Sequence, residues 1–551
     1  MSKNLSHLSG RKGIEDNLFD RYGRLNGEST KLEDLEKLAD EFLIGTANIH
    51  GSTTFYDFLK PENKDKEIYV CNGSACLCAG TQEHVRKKLS ERFSANQIGD
   101  MCCLGRCHEN SAFHYKGKNY SGNAIDQLND IINEKSKKED DYLVTSIGKS
   151  ILTSPFTDIE NYYKPLEDIL NQKPQDLIAE IKKSGLRGRG GAGFPMGLKL
   201  EFCSRAESDT KFIICNADEG DPGAYSDRYL LEKQPHAVLF GMLVSGYVTG
   251  AKYGILYIRG EYPESVQIIE AAIKNLYDKK LAGNEIIDSN FSFHFKVIKA
   301  QGAYICGEET ALINSIEGQR PEVRTRPPYP AQYGLFGKPT TVSNVETLAA
   351  LPFICREGGE AYAKIGTHNS TGTKLLSLDS FFQKPGIYEV EMGISLGKVI
   401  DSAGGFRSPV KALHIGGPLG GLIPVEKIPD LTVDFESFKK NGFLLGHASV
   451  VCIPEKMPVI NYLKHLFEFA AHESCGKCFP CRLGTKRAEE MLSKSIEENY
   501  QIDRDLFDDL IHTLEEGSLC AHGGGIPLPV KNALKYFARE LSPNFTSPVK
   551  A

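Results

Sequence analysis

The sequence has no long apolar run, no basic block and no internal repeat, and each absence removes a class of protein. Its longest greasy stretch, from Ala237 to Ala251, is interrupted by Gly241, Ser245, Gly246 and Gly250. That falls short of the ~20 apolar residues a membrane span needs, so it predicts a buried helix. The opening residues, MSKNLSHLSGRKGIEDN, lack the apolar segment of a secretory signal, and a soluble, cytoplasmic protein is expected. The formal charge of −7 is spread over 551 residues without a long run of Lys and Arg, which argues against a nucleic-acid binder. Apolar and charged fractions of 40% and 25% are those of a globular chain, so disorder and coiled coil are poor readings of the bulk.

What is present is sulfur. The chain holds fifteen cysteines. Without an export signal, metal or cluster ligation is a better default for them than disulfides. Six fall between Cys71 and Cys107 and four between Cys475 and Cys520, which suggests two metal centres.

The length allows about three or four domains. Residues 1–60 read as a helical segment: Leu32, Leu35, Leu38 or Ala39, and Phe42 recur at helix spacing, and Gly45 follows as a stop. Residues 61–140 read as a compact α/β unit. EIYVC is a short buried strand, a helix from Thr81 carries Val85, Leu89 and Phe93, and AFHYKGKNYSG is a hairpin turning at Lys116–Gly117. A second helix carries Ile125, Leu128 and Ile132, and the charged NEKSKKEDD is a linker or a solvated helix end. In 141–365, the strands KFIICNAD, YGILYIRG and FHFKVIKA alternate with helices, which predicts an open, largely parallel sheet. Residues 366–450, rich in Gly, Val and Ile, predict a small mixed β-fold. Residues 451–551 carry four apolar-faced helical stretches.

ESCGKCFPCRLGT presents Cys475, Cys478 and Cys481 as C-x-x-C-x-x-C, with Cys520 about forty residues on. Three thiolates at this spacing wrap one face of a 4Fe–4S cluster, and a remote fourth ties in another helix. Structural zinc is the rival, although zinc usually takes paired C-x-x-C knuckles. Near the N-terminus, Cys71 and Cys76 face Cys103 and Cys107, two loops with two thiolates each, which suits a 2Fe–2S cluster. Cys78 and Cys102 compete as ligands, and zinc again remains open. Cys102 is set aside because adjacent side chains on an extended strand point to opposite faces.

Between the thiol clusters, GLRGRGGAGFPMGLK holds Gly185, Gly188, Gly190, Gly191 and Gly193 ahead of Lys199. Such a loop lines an anion site with backbone N–H groups, although most glycine-rich stretches are plain turns. NADEGDPGAYSDR places Asn216, Asp218, Glu219 and Asp221 directly after a strand, where open α/β sheets put their ligand loops. GAYICGEETALI brings Tyr304, Gly307, Glu308 and Glu309. Paired acids there suit hydrogen bonds to a ribose or a flavin edge, or simply solvent exposure in a loop.

Together with PPYPAQYGLFGKPTTVSNVETL, these segments occur in the order of one family. The chain closely resembles the 51-kDa flavoprotein of respiratory complex I and the diaphorase subunits of NAD-linked hydrogenases and formate dehydrogenases. Its N-terminal part is similar to the companion 24-kDa protein of complex I, joined into the same polypeptide. The resemblance implies a multidomain α/β protein: a thioredoxin-like ferredoxin domain, a Rossmann-like FMN/NADH domain, a ubiquitin-like β-grasp (SLBB) domain and a C-terminal helical bundle with the 4Fe–4S cluster. It implies FMN held by Gly188, Gly190, Lys199, Asn216, Asp218, Glu219, Tyr304, Gly307, Glu308, Ser343 and Asn344. NADH would contact Gly191, Phe194, Phe202 and Glu309, with Asp221, Arg326 and Tyr329 at its adenine end. At those three positions the family more often has Glu, Lys and Phe, and Arg326 near a ribose would soften the choice of NAD over NADP.

The implied activity is NADH dehydrogenase chemistry: hydride passes from NADH to FMN, then single electrons pass to Fe–S centres, and no acid–base residue is required. The implied partners are an Fe–S electron-transfer subunit and a catalytic subunit of hydrogenase or formate dehydrogenase type, with a ferredoxin-linked, electron-bifurcating role as the alternative. No eight-cysteine ferredoxin extension follows before Ala551. The rival from another class is a binding module in which the clusters are staples or redox sensors and the flavin site is dead.

Overall fold

The computed structural model describes residues 14–25, 32–135 and 142–546. The expected linker lies, from residue 136 to 141, outside them. Three sheets organise the chain, and among the described residues no helix is long and apolar enough to cross a membrane.

The first sheet runs β2-β1-β3-β4, with β1 Ile68–Cys71, β2 Ile98–Met101, β3 Phe113–Tyr115 and β4 Lys118–Tyr120. β1 pairs in parallel with β2 and antiparallel with β3. Lys116 (φ 45°) and Gly117 (φ 71°) turn the β3–β4 hairpin, both left-handed as a tight primed turn requires. Val85, Leu89, Phe93 and Ile131 close its core against Ile68 and Val70. β2 was not expected from the sequence, because IGDM offers two apolar residues around Gly99 and Asp100, too few for a period. Gly45 is not the stop of the preceding helix, which ends at Glu41 with Leu43 left-handed (φ 53°) beyond it; Gly45 is the N-cap of a further helix, Thr46–Thr53.

The second sheet runs β8-β7-β6-β9 and is wholly parallel: β6 Phe212–Ala217, β7 Tyr253–Ile258, β8 His294–Lys299 and β9 Thr340–Asn344. A parallel sheet needs both faces covered, and alternate residues here enter two different cores. Ile213, Cys215, Leu256 and Ile258 pack into one with the buried helix Pro235–Thr249. Phe212, Ile214, Ile255, Tyr257 and Ile298 pack into the other with the helix Glu309–Ile316 and with Leu18, Phe19, Tyr22, Phe42 and Tyr56 from the N-terminal helices. The glycines that interrupt the greasy stretch are packing positions. A methyl at Gly241 would sit 2.0 Å from the Leu348 carbonyl oxygen, and one at Gly246 2.3 Å from the Phe293 ring.

The third sheet runs β13-β12-β14-β10-β11-β5, with β10 Thr373–Leu378, β11 Gly386–Glu391, β12 Val410–Ile415, β13 Gly421–Pro424 and β14 Ser449–Pro454. The expected boundaries at 141 and 450 need adjustment. β5, Leu143–Ile147, pairs in parallel with β11 and joins this sheet rather than the nucleotide unit, and β14 carries the sheet past 450. LVTSI has no local feature that names its sheet; the open edge of β11 recruits it. Helices Val459–His472, Phe479–Glu498, Arg504–Gly517 and Pro527–Tyr536 form the C-terminal part.

Candidate functional site

The loops leaving the C-terminal ends of β6, β7, β8 and β9 converge, where open parallel sheets bind ligands. The glycine loop closes one side. Gly188 N–H donates to the Phe194 carbonyl (2.8 Å), Met196 N–H to the Leu186 carbonyl (2.9 Å), and the Arg187 side chain to the Gly193 carbonyl (2.8 Å). Gly191 has φ 121°, and a methyl built on it would meet nothing nearer than Gly446 Cα at 3.9 Å. Protein packing does not demand that glycine. Its backbone conformation, and the open space beside it, do.

Asn216 at the end of β6 donates to the Gly307 carbonyl (2.8 Å), joining two of the loops. Asp218 is buried, and its Oδ2 has no hydrogen-bond partner among the described residues. Burial pushes this carboxyl well above the usual range, and a buried oxygen left without a partner calls for a donor. Asp221 Oδ1 accepts from the Tyr304 hydroxyl (2.8 Å). Two of the expected ligand-facing acids face elsewhere. Glu219 accepts from the Asp227 and Arg228 N–H groups (2.8 and 3.0 Å) and from the Tyr262 hydroxyl (3.1 Å), closing the start of the helix Ser226–Lys233. Burial raises Glu219 to about 7. Glu308 Oε2 accepts from the Thr310 and Ala311 N–H groups, both 2.9 Å, as N-cap of its helix. Asn344 caps the helix Val345–Ala349 and donates to Asp227 Oδ2 at 2.6 Å, while Ser343 is buried beside Met196.

Lys199 does not stand free for a phosphate. Its ammonium donates to the Val342 carbonyl (2.8 Å) and pairs with Glu309 Oε2 at 3.3 Å. Glu309 also receives Arg326 Nη1 at 2.9 Å. Three aromatics stand well exposed: Phe194 (46%), Phe202 (48%) and Tyr329 (56%). Rings left this open suit stacking on a planar ligand.

Four residues that the sequence did not single out belong to this region. His447 lies buried with Nε2 at 3.2 Å from Asp227 Oδ2 and 3.8 Å from Glu219 Oε1. Arg259 and Tyr262 leave the end of β7, and Glu473 Oε2 accepts the Tyr304 N–H at 2.8 Å. An arginine closing the apolar strand YGILYI is a signal the sequence does carry. His447, in the featureless GHASVV, has none.

The structure brings Cys71, Cys76, Cys103 and Cys107 together, all buried. Cys103 and Cys107 sulfurs lie 3.3 Å apart. Contacts with Cys103 and then Cys76 drive the Cys71 thiol up, whereas Cys107 and Cys71 hold Cys103 low. Backbone N–H groups aim at this group: Ser111 at Cys76 (3.0 Å), Gly105 at Cys103 (3.4 Å) and Gly223, from the acidic loop, at Cys107. Donors that stabilise thiolates fit a cluster. Cys78 instead lies near Asp379 and Cys452.

At the other end Cys475 follows the helix Val459–His472, Gly476 takes φ 82°, and Cys478 and Cys520 are the N-caps of two helices. Burial raises Cys481 to about 12, and Cys478, Cys520 and Cys475 all add to it, so the four thiols converge. The N–H groups of His522 and Gly523 favour the thiolate of Cys520, which burial raises to about 11. Tyr304 joins this end to the cradle, its hydroxyl on Asp221 and its ring against Phe469 and His522.

Three family models match the chain: a thioredoxin-like [2Fe-2S] ferredoxin over residues 26–136, a Nuo51 FMN-binding domain over 181–352, and an NADH-ubiquinone oxidoreductase-F iron–sulfur binding region over 461–544. The HndC component of the NADP-reducing hydrogenase of Solidesulfovibrio fructosivorans is 40% identical over 382 residues, covering 69% of this chain and 78% of that one. The F 2 component of the NADH-quinone oxidoreductase of Rhizobium meliloti (strain 1021) is 39% identical over 383 residues, 69% of this chain and 91% of that one. The crystal structure of an air-oxidized NAD+-reducing [NiFe]-hydrogenase superposes with TM-score 0.84 at 27% identity, covering 96% of this chain and 93% of that chain.

Proposed function

The chain belongs to the Nuo51 family of FMN-binding NADH-quinone oxidoreductase flavoproteins, and on that premise we propose that it oxidises NADH, or reduces NAD+, as the flavin-bearing component of a larger cytoplasmic complex. It is an FMN, 2Fe–2S and 4Fe–4S oxidoreductase that passes electrons between a nicotinamide nucleotide and Fe–S centres. When bound, FMN accepts the hydride pair and releases electrons singly, and the clusters carry them onward.

The chain's own residues bind, orient and seal. Gly188, Gly190 and Gly191 give the cofactor its backbone wall, with Asn216, Gly307, Ser343 and Asn344 opposite. Asp218 offers a buried carboxylate oxygen that has no partner among the described residues. Glu219, Glu308 and Lys199 act one layer back, by closing helix starts and by holding Glu309 and β9. Phe194, Phe202 and Tyr329 stack the nucleotide beside Glu309 and Arg326, while Tyr304 fixes Asp221. Cys71, Cys76, Cys103 and Cys107 hold the 2Fe–2S cluster, and Cys475, Cys478, Cys481 and Cys520 the 4Fe–4S cluster. The carrying observation is that two sets of converging thiols flank one glycine-walled cradle: Gly223 N–H reaches Cys107 on one side, and on the other Tyr304 bonds Asp221 and packs on His522, whose N–H reaches Cys520.

The partners proposed are an Fe–S electron-transfer subunit and a hydrogenase- or formate dehydrogenase-type catalytic subunit. A ferredoxin-linked bifurcating role differs in those partners more than in this chain. NADP is a second reading, favoured by the pairing of Arg326 with Glu309: the acid that would repel a 2′-phosphate is already neutralised by Arg326 and Lys199. Anaerobically purified protein should contain FMN and iron and reduce ferricyanide or viologen with NADH. Zinc in place of iron, with no NADH oxidation, would refute the assignment, and the NADPH to NADH ratio of kcat/KM decides the second reading.

A further inference from the structure

We propose that Arg259 is a positioning residue shared by the two redox sites: its guanidinium raises the reduction potential of the N-terminal cluster and fixes the acidic loop that lines the flavin cradle. The inference rests on the assignment of Cys71, Cys76, Cys103 and Cys107 to a 2Fe–2S cluster.

Arg259 follows β7 directly, at the ligand edge of the parallel sheet, and only 3% of it is exposed. Its planar fork of donors is almost fully used. Nη1 donates to the Glu219 carbonyl in the acidic loop. Nη2 donates to the Cys102 carbonyl at 3.2 Å, in the peptide immediately before the cluster ligand Cys103, and to Glu261 Oε1 at 2.8 Å. Nε donates to Glu261 Oε2 at 3.2 Å. One side chain therefore bridges the backbone of the thiol loop and that of the cofactor loop. A lysine offers a point charge and cannot reproduce that fork.

The surrounding contacts seat the same thiol loop on the nucleotide unit. Arg228 Nη1 donates to the Gly105 carbonyl at 2.6 Å. The Tyr262 ring fills the space beside Gly105, where a methyl would come within 2.7 Å of it, while its hydroxyl reaches Glu219. Arg259 lies over that ring, 5.0 Å from its centroid. Burial works against the guanidinium, but Glu261, Tyr262 and Asp218 together outweigh it and Arg259 stays charged.

Reduction places one more electron on the cluster, so a fixed cation beside it favours the reduced form. At the effective dielectric of a protein interior the effect is roughly tenfold in the ratio of reduced to oxidised cluster at a fixed potential, or 59 mV for a one-electron couple. Glu261 offsets part of it, which gives a second handle of opposite sign.

The test is a redox titration, followed by electron paramagnetic resonance, of the full holoprotein and its R259Q and E261Q variants. R259Q should lower the midpoint of the 2Fe–2S cluster by about the tenfold equivalent and speed FMN release. E261Q, which leaves the cation unneutralised, should raise that midpoint. The 4Fe–4S midpoint should stay put in both. If R259Q does not fold, E261Q alone decides the sign. Iron-replete variants with unchanged 2Fe–2S midpoints, or with equal shifts in both clusters, overturn the inference. A wild type without any 2Fe–2S signal sinks the ligand assignment itself, a separate and earlier failure.

Discussion

The buried triad of His447, Asp227 and Glu219 makes stability depend on pH in a way that can be worked out in advance. Burial alone would lower His447, but Asp227 at 3.2 Å, aided by Glu219, raises it from 6.5 to about 9. A histidine whose folded value lies above its unfolded one adds stability that is complete below pH 6.5 and is lost as pH rises through 9. The interval corresponds to about 3 kcal/mol. Glu219 runs in the same direction over a lower window, since burial raises it from 4.5 to about 7 and its contribution is gone by then. Within the triad the range from pH 7 to 9 therefore belongs to His447. The chain has no tryptophan, so unfolding is best followed by calorimetry or far-ultraviolet circular dichroism. In the transition that includes the nucleotide unit, the wild type should lose roughly 5–10 °C between pH 7 and 9. H447Q should start lower and stay flatter over that range. Parallel profiles for the two proteins would refute the reasoning.

Gly191→Ala should fold, since its methyl meets no protein atom within 3.9 Å, but a strained φ of 121° and a filled cradle should weaken FMN binding about tenfold, as read by flavin fluorescence on dilution. Lys374 and Glu346 form an ion pair with neither side chain exposed. Lys374→Met leaves a buried carboxylate without its cation, held only by the Leu375 N–H, and should cost about 3–5 kcal/mol, most of it regained in K374M/E346L, by thermal melting. Cys76→Ser should abolish the 2Fe–2S resonance while Cys78→Ser keeps it; the reverse result would exchange their roles. Cys481→Ser should remove the 4Fe–4S resonance and leave the other.

Strands were legible where apolar residues come in runs. IYVC, FIICNA and YGILYI are unmistakable, whereas IGDM, LVTSI and TTVSN are short and half polar, and only their neighbours make them strands. Sheet membership is still less local, as β5 shows by crossing to β11. The glycine loop and the spacing of the cysteines were visible because chemistry constrains residue type there. Which acid of NADEGD is engaged by the fold was not: Asp218 and Glu219 are adjacent, yet one has an oxygen without a partner among the described residues and the other closes a helix. Arg259 is marked by its place at the end of YGILYI, whereas Tyr262, His447 and Glu473 matter only through contacts made across the fold and carry no local mark.

The central sheet's second face has a consequence for anyone trimming this protein. Phe19, Tyr22, Phe42 and Tyr56 are the lid over Ile214, Ile255 and Tyr257. Deleting the residues before Phe58 would therefore not yield a tidy flavin fragment; it would lay a greasy, β-branched surface open to water and invite precipitation. The N-terminal helices and the flavin part are one folding problem, although the ferredoxin sheet lies between them in the chain.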